Sequence, residues 1–168
     1  MDVGASLTAL QWIVDGYSVA FAGLLLLGGA LGDRWGHRRV FCLGVAVFTG
    51  ASLGCVVAGS ALTLTAFRLV DGGGAALLVP GSLALLQQVY RTPSARARAF
   101  GLWGAIAGVA ATAGPLVGGV LTSTVGWRWV FVINLPVGLL CLGFTMATVG
   151  RSPRATRVGE RACCHRHP

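Results

Sequence analysis

Charge is missing from most of this chain, and that absence decides what the chain can become. Val40 to Ala61, Ala99 to Thr124 and Trp129 to Gly150 contain no Asp, Glu, Lys or Arg. Leu10 to Leu31 contains only Asp15, and Leu62 to Tyr90 only Arg68 and Asp71. A helix that crosses the hydrocarbon core of a bilayer needs about 20 predominantly apolar residues, and each of these five intervals supplies them. A helix also satisfies its backbone hydrogen bonds within the segment, which the bilayer core demands. Soluble domains carry about 25% charged residues, whereas here the share is 11% against 55% hydrophobic. The reading is an all-α, polytopic membrane protein with five transmembrane helices within residues 1–150.

The charges that remain are bunched between the apolar intervals. The first connection holds Arg34, Arg38 and Arg39, the third Arg91, Arg96 and Arg98, and the segment after Gly150 holds Arg151, Arg154 and Arg157. The second connection, around Gly59-Ser60-Ala61, has none, and the fourth has only Arg128. Basic connections face the cytoplasm, so the odd ones are expected inside and the N-terminus outside. The net charge of +8 comes from these clusters. They form no continuous basic face, so they serve as topology signals and no nucleic-acid partner is expected. The partners are the lipid bilayer and whatever crosses it, and the location is the cell membrane.

No cleavable leader is expected, because Met1 to Ala9 lacks a charged start and a small-residue cleavage site. An outside N-terminus without a leader points to a missing preceding helix. Five spans also fit poorly with the pseudo-symmetric repeats of transporters, so a fragment of something larger is expected. Residues 151–168 form a polar, Arg-rich tail without an apolar period, expected to be disordered or out of frame. Its Cys163-Cys164-His165 run fits no usual metal-ligand spacing. Cys42, Cys55 and Cys141 lie in or beside apolar runs and read as small buried hydrophobes. No catalytic set, phosphate loop, metal site or cofactor site is evident, so no enzyme is expected.

Three stretches carry the chemistry. In Gly28 to Arg39, glycines 29, 32 and 36 permit a sharp reversal. Asp33 stands beside Arg34, Arg38 and Arg39 and fits either a helix cap with anchoring arginines or a charge-paired inner gate. Arg68 and Asp71 share one helical face three residues apart. An Arg inside a span costs about 2.5–3.5 kcal/mol on insertion scales, which makes it a functional candidate, and a neutralised structural couple is the alternative. Glycines 72, 73 and 74 thin the same helix for a close neighbour, and Pro80 can bend it. In the fourth interval Gly104, Gly108, Gly114, Pro115, Gly118 and Gly119 make a flat face with a proline kink. Asp15, about a turn from Trp12, reads either as a cavity carboxylate or as an interfacial residue. Trp127 and Trp129 suit a membrane entrance.

These motifs carry a family resemblance. Gly29-x-Leu31-x-Asp33-Arg34-x-Gly36-x-Arg38-Arg39 resembles the signature loop between the second and third helices of the major facilitator superfamily. Arg68-x-x-Asp71-Gly72-x-Gly74-Ala75-Ala76 is similar to that family's fourth-helix motif, with Asp71 in place of the usual Gln. Gly114-Pro115-x-x-Gly118-Gly119 resembles its antiporter motif. Leu10 to Tyr17 and Trp127-Arg128-Trp129-x-Phe131-x-Ile133-Asn134-x-Pro136 resemble the fourteen-helix drug:proton antiporter branch, of the EmrB/QacA type. The resemblance covers Leu7 to about Gly150 and implies helices two to six of that fold. It implies proton-driven export of lipophilic, often cationic small molecules, with the proton gradient as energy source and no cofactor. It further implies Arg68 as a proton-coupling residue, and Gly29, Asp33, Arg34, Gly36, Arg38 and Arg39 as the cytoplasmic gate; Asp71, its pairing partner, and Asp15, a carboxylate within a span, are coupling candidates on the reading of the residues themselves. Gly114, Pro115, Gly118 and Gly119 would then shape a moving helix. The remainder of the transporter would be a partner. The other reading is a truncated, non-transporting membrane protein that associates with other helices.

Overall fold

The computed structural model describes residues 7–148. The expectations for the first six residues and for the tail lie outside the described residues. The helices are α1 (Leu7–Trp35), α2 (His37–Val57), α3 (Ala61–Val89), α4 (Pro93–Thr124), α5 (Trp129–Val132) and α6 (Asn134–Thr148). Five stretches are long and apolar enough to cross a membrane, with α5 and α6 together making the fifth. Among the described residues there is no strand. Exposed Leu26, Val57, Leu62 and Leu116 present apolar surface, which a bilayer solvates.

The helix ends differ from the expected intervals in ways the backbone explains. The sequence suggested a turn over Gly28 to Arg39, yet α1 stays helical to Trp35 and the whole reversal happens at Gly36. Gly36 takes φ 93°, a left-handed value that an L side chain rarely adopts. Its N–H donates to the Gly32 carbonyl at 2.9 Å, ending α1. Its own carbonyl accepts from Arg39 N–H at 3.1 Å and Val40 N–H at 3.2 Å, starting α2. One residue is therefore the last link of one helix and the cap of the next. Ser60 starts α3 with a capping box: its hydroxyl accepts from Thr63 N–H and its own N–H donates to the Thr63 hydroxyl, both at 3.2 Å. The fifth span breaks at Ile133, three residues before Pro136, which has no N–H to give the Val132 carbonyl. Helix α4 continues through Pro115, and it begins at Pro93, earlier than expected, so that Arg96 and Arg98 lie in its first turns.

Helix α3 is the axis of the bundle, packed along α1 on one side and α2 on the other. Small residues set how closely they approach. A Cβ at Gly72 would collide with the Tyr17 carbonyl of α1, and one at Gly28 with the Ala76 carbonyl of α3. The Ala76 carbonyl is the acceptor that Pro80 leaves without its helical donor. On the other side, a Cβ at Gly74 would stand 2.8 Å from the Phe48 nitrogen of α2. Helix α6 lies against α2, with Gly138 pressed over Thr49. Among the described residues, helix α4 packs only with its sequence neighbours α3 and α5, and none of its residues is buried.

Two arginines fix which ends lie together. Arg38 Nη2 donates to the Met146 carbonyl at 2.9 Å, placing the end of α6 beside the α1–α2 joint. Arg128 Nη2 donates to the Ala58 carbonyl at 3.3 Å, placing the α4–α5 turn beside the α2–α3 turn. The described chain therefore alternates between an end with basic connections and an end whose connections hold Arg128 as their one basic residue, as the charge pattern anticipated.

Candidate functional site

The polar centre of the bundle is built on one turn of α3. Arg68 and Asp71, three residues apart, point the same way, and Arg68 Nη1 stands 3.0 Å from Asp71 Oδ2. The Asp71 side chain is fully buried and that of Arg68 is one-fifth exposed, at 21%. A buried carboxylate must have all its partners from protein, because water does not reach it. The second oxygen, Oδ1, accepts from the Ser52 hydroxyl of α2 at 3.1 Å. Ser52, itself fully buried, is reached in turn by Asn134 Nδ2, at 3.3 Å, from the first position of α6. Three helices thus converge on one carboxylate.

Aromatic rings enclose the guanidinium. Arg68 Cζ lies 4.5 Å from the centre of the Tyr17 ring of α1 and 5.6 Å from that of Phe131 of α5. Rings at this range attract a cation through their negative faces. Its Nε donates, at a long 3.5 Å, to the Ile13 carbonyl. Tyr17 stacks on Phe21 with centroids 6.1 Å apart, and Phe131 meets Trp127 edge-on at 6.2 Å. Trp127, Phe131 and Ile13 also pack on the buried Cys55, Ala58 and Leu64. The Trp-Arg-Trp segment thus closes one end of the site, and Arg128 tethers it to Ala58. Chemically, the arrangement holds a compensated charge pair whose carboxylate can take a proton, which would release the guanidinium to its aromatic neighbours.

The other expected residues fall elsewhere. Asp15 is exposed and makes no hydrogen bond or ion pair among the described residues, so it does not join Arg68 and Asp71. The reason is helical phase: Gly16 lies against Thr65 and Leu69 of α3, and Asp15 sits about 100° round the helix. At the basic end, Asp33 pairs with His37 Nε2 at 3.4 Å rather than with an arginine. His37 lies over Gly32. Arg38 binds α6, and Arg34 and Arg39 are exposed. A Cβ at Gly29 would meet open space, and the same holds for Gly114, Gly118 and Gly119 along α4, where Pro115 is also exposed. Ser52, Asn134, Tyr17 and Phe131 were not singled out as site residues. Asn134 is the single asparagine of the chain and lies within an uncharged run, and that placement was a signal available in advance.

Comparison with known proteins agrees with this architecture. A family model described as Major Facilitator Superfamily matches residues 1–162. The methylenomycin A resistance protein of Bacillus subtilis (strain 168) is 46% identical over 154 residues, which is 91% of this chain and 33% of that protein. The tetracenomycin C resistance and export protein of Streptomyces glaucescens is 41% identical over 158 residues, 93% of this chain and 29% of that protein. The multidrug resistance protein Stp of Mycobacterium tuberculosis (strain CDC 1551 / Oshkosh) is 41% identical over 143 residues, 85% of this chain and 27% of that protein. The chain thus spans about a third of the length of the relatives it matches. With five membrane-spanning helices, the motif order read above and a family model covering nearly its whole length, this multi-pass membrane chain belongs to the Major Facilitator Superfamily.

Proposed function

We propose that this chain supplies one part of a secondary transporter of the cell membrane that exports antibiotic-like, lipophilic small molecules in exchange for protons. The relatives' names describe antibiotic resistance and export. The observation that carries the reading is the buried Arg68–Asp71 pair inside a membrane-spanning helix, held from three other elements. A proton on Asp71 cancels its charge and frees Arg68 from its counter-ion. Two states of different charge distribution then exist, and each can favour a different one of the two conformations that alternating access requires. The proton gradient is the energy source, with no cofactor. In this reading the basic end faces the cytoplasm and the N-terminus lies outside, since Arg-rich connections stay inside. Asp33, Arg34, Arg38 and Arg39, with Gly29 and Gly36, act as the inner gate. Gly114, Pro115, Gly118 and Gly119 belong to a helix that moves against the rest of the transporter.

The test uses a transporter that carries these five spans in place of the matching third of the Bacillus subtilis relative. Arg68→Ala is expected to abolish antibiotic resistance while the protein reaches the membrane at its normal level. Unchanged resistance would refute the assignment.

A second reading concerns the chain alone. It holds less than one half of a two-half bundle, and α4 has no buried residue. A rocking mechanism needs two halves around a central site, so the isolated chain inserts and folds without transporting. Proton-dependent dye export by vesicles containing only this chain would overturn that.

A further inference from the structure

We propose that Ser52 and Asn134 are positioning residues for the Arg68–Asp71 pair, forming a polar relay through which protonation of Asp71 is felt at the start of α6. The proposal rests on the reading of Asp71 as a proton-coupling group and adds the element that responds.

The hydrogen-bond inventory fixes the direction of the relay. An ionised carboxylate only accepts, and a serine hydroxyl has one hydrogen to give. Ser52 therefore spends its hydrogen on Asp71 Oδ1, 3.1 Å away. It meets Asn134 as an acceptor, and the Asn134 amide nitrogen faces it at 3.3 Å. An incoming proton has one favourable place to sit. At Oδ2 it would point at the Arg68 guanidinium, which is all donor. At Oδ1 it points at the Ser52 oxygen. Asp71 then becomes the donor in that bond, and Ser52 turns its own hydrogen away. Asn134 is left facing a changed partner: either a reversed hydroxyl, to which it must turn its carbonyl, or an oxygen already accepting from Asp71. Asp71 gains one O–H bond and a hydronium ion of the solvent loses one, leaving water, and no other covalent bond forms or breaks.

Among the described residues no titratable side chain other than Asp71 hydrogen-bonds to Ser52 or to the Asn134 amide. Tyr17 faces Asp71 from α1, Cys55 from α2 and Arg68 from its own helix. The neighbours from α5 and α6 are Phe131 and Asn134, which do not titrate. The change is delivered at Asn134, the first residue after the break between α5 and α6. Phe131, on the other side of that break, rests on Arg68. One short segment therefore touches both members of the pair, Arg68 through a ring and Asp71 through a hydroxyl.

The chain has a single asparagine, so asparagine labelled with nitrogen-15 gives one side-chain amide pair and one backbone amide. The full chain in lipid nanodiscs is titrated from about pH 4 to about pH 9, a range that spans the ordinary carboxylate and the raised values seen at buried sites. The Asn134 side-chain resonances are expected to shift with one midpoint in the unsubstituted chain. The shift is expected to vanish in Asp71→Gln, which cannot ionise and adds no second asparagine, and in Ser52→Ala, with the backbone amide of Asn134 reporting that the site stays folded. If Ser52→Ala disturbs that signal, Ser52→Cys keeps the size, weakens the donor and is expected to shrink the shift. A flat titration in the unsubstituted chain overturns the proposal, as does a shift that survives in Asp71→Gln or is undiminished in the folded Ser52 variant. The efflux test fails separately. Resistance unchanged by Arg68→Ala defeats proton coupling while the relay stands. Resistance lost with a flat Asn134 signal defeats the relay alone.

Discussion

Glycine does two different jobs in this chain, and substitution separates them. At Gly72 an added Cβ would collide with the Tyr17 carbonyl, so a methyl group there forces α1 and α3 apart. Gly72→Ala is expected to destabilise the bundle by about 1–3 kcal/mol, the usual cost of overpacking. At Gly108 the same methyl group meets nothing, and alanine is the better helix former by about 0.5–1 kcal/mol. Gly108→Ala is expected to leave the chain unchanged or slightly more stable. Unfolding in a detergent titration, followed by circular dichroism, compares the two directly. The charge pair gives a third case. Asp71→Ala leaves Arg68 without its counter-ion in a largely buried site and is expected to cost about 3 kcal/mol, the low end for breaking a buried pair. Replacing both residues, Arg68→Met with Asp71→Leu, is expected to recover most of that loss, and a double-mutant cycle measures the recovery. Sequence spacing was sufficient to find this pair, because residues three apart on a helix share a face. It could not find Ser52, since a serine in an apolar run has no period to mark which neighbour it meets. Asp15 shows the opposite limit: a charge in a span draws notice, but its phase relative to Gly16 decides that it points away from α3.

At the level of helices, the spans were legible because the bilayer imposes a length and an exclusion of charge that no soluble fold requires. Their ends were less so. The Gly28 to Arg39 stretch reads as a loop by composition, yet one glycine with positive φ makes the entire reversal, and everything around it stays helical. The single break inside a span, between α5 and α6, follows from Pro136 and was present in the sequence as a proline without an assigned consequence. Arg38 shows what the family motif does within the described chain: it ties the first turn of α2 to the last turn of α6. Arg38→Ala is expected to free that end. Hydrogen exchange at Thr145, Met146 and Ala147 is expected to quicken about fivefold, which corresponds to losing roughly 1 kcal/mol for a hydrogen bond at an exposed site. No change would mean that the helix end is held by packing alone.

For the molecule as a whole, the alternation of ends predicts topology. Cysteine placed at Thr92, in the basic connection, is expected to react only with membrane-permeant reagents in intact cells. Cysteine placed at Ser60, at the opposite end, is expected to react with impermeant ones as well. The reverse pattern would invert the proposed orientation while leaving the fold untouched. The bundle also has an order of manufacture, and the pairing within α3 gives that order a meaning. Synthesis delivers Tyr17 and Ser52 first, then Arg68 with Asp71, and only later Phe131 and Asn134. An arginine entering lipid alone is penalised by about 2.5–3.5 kcal/mol, but this one brings its counter-ion on the next turn of the same helix. Helix α3 can therefore leave the translocon as an electrically neutral segment, without waiting for any later helix to rescue it. The ring and the amide that arrive afterwards complete a site that is already safe in the membrane.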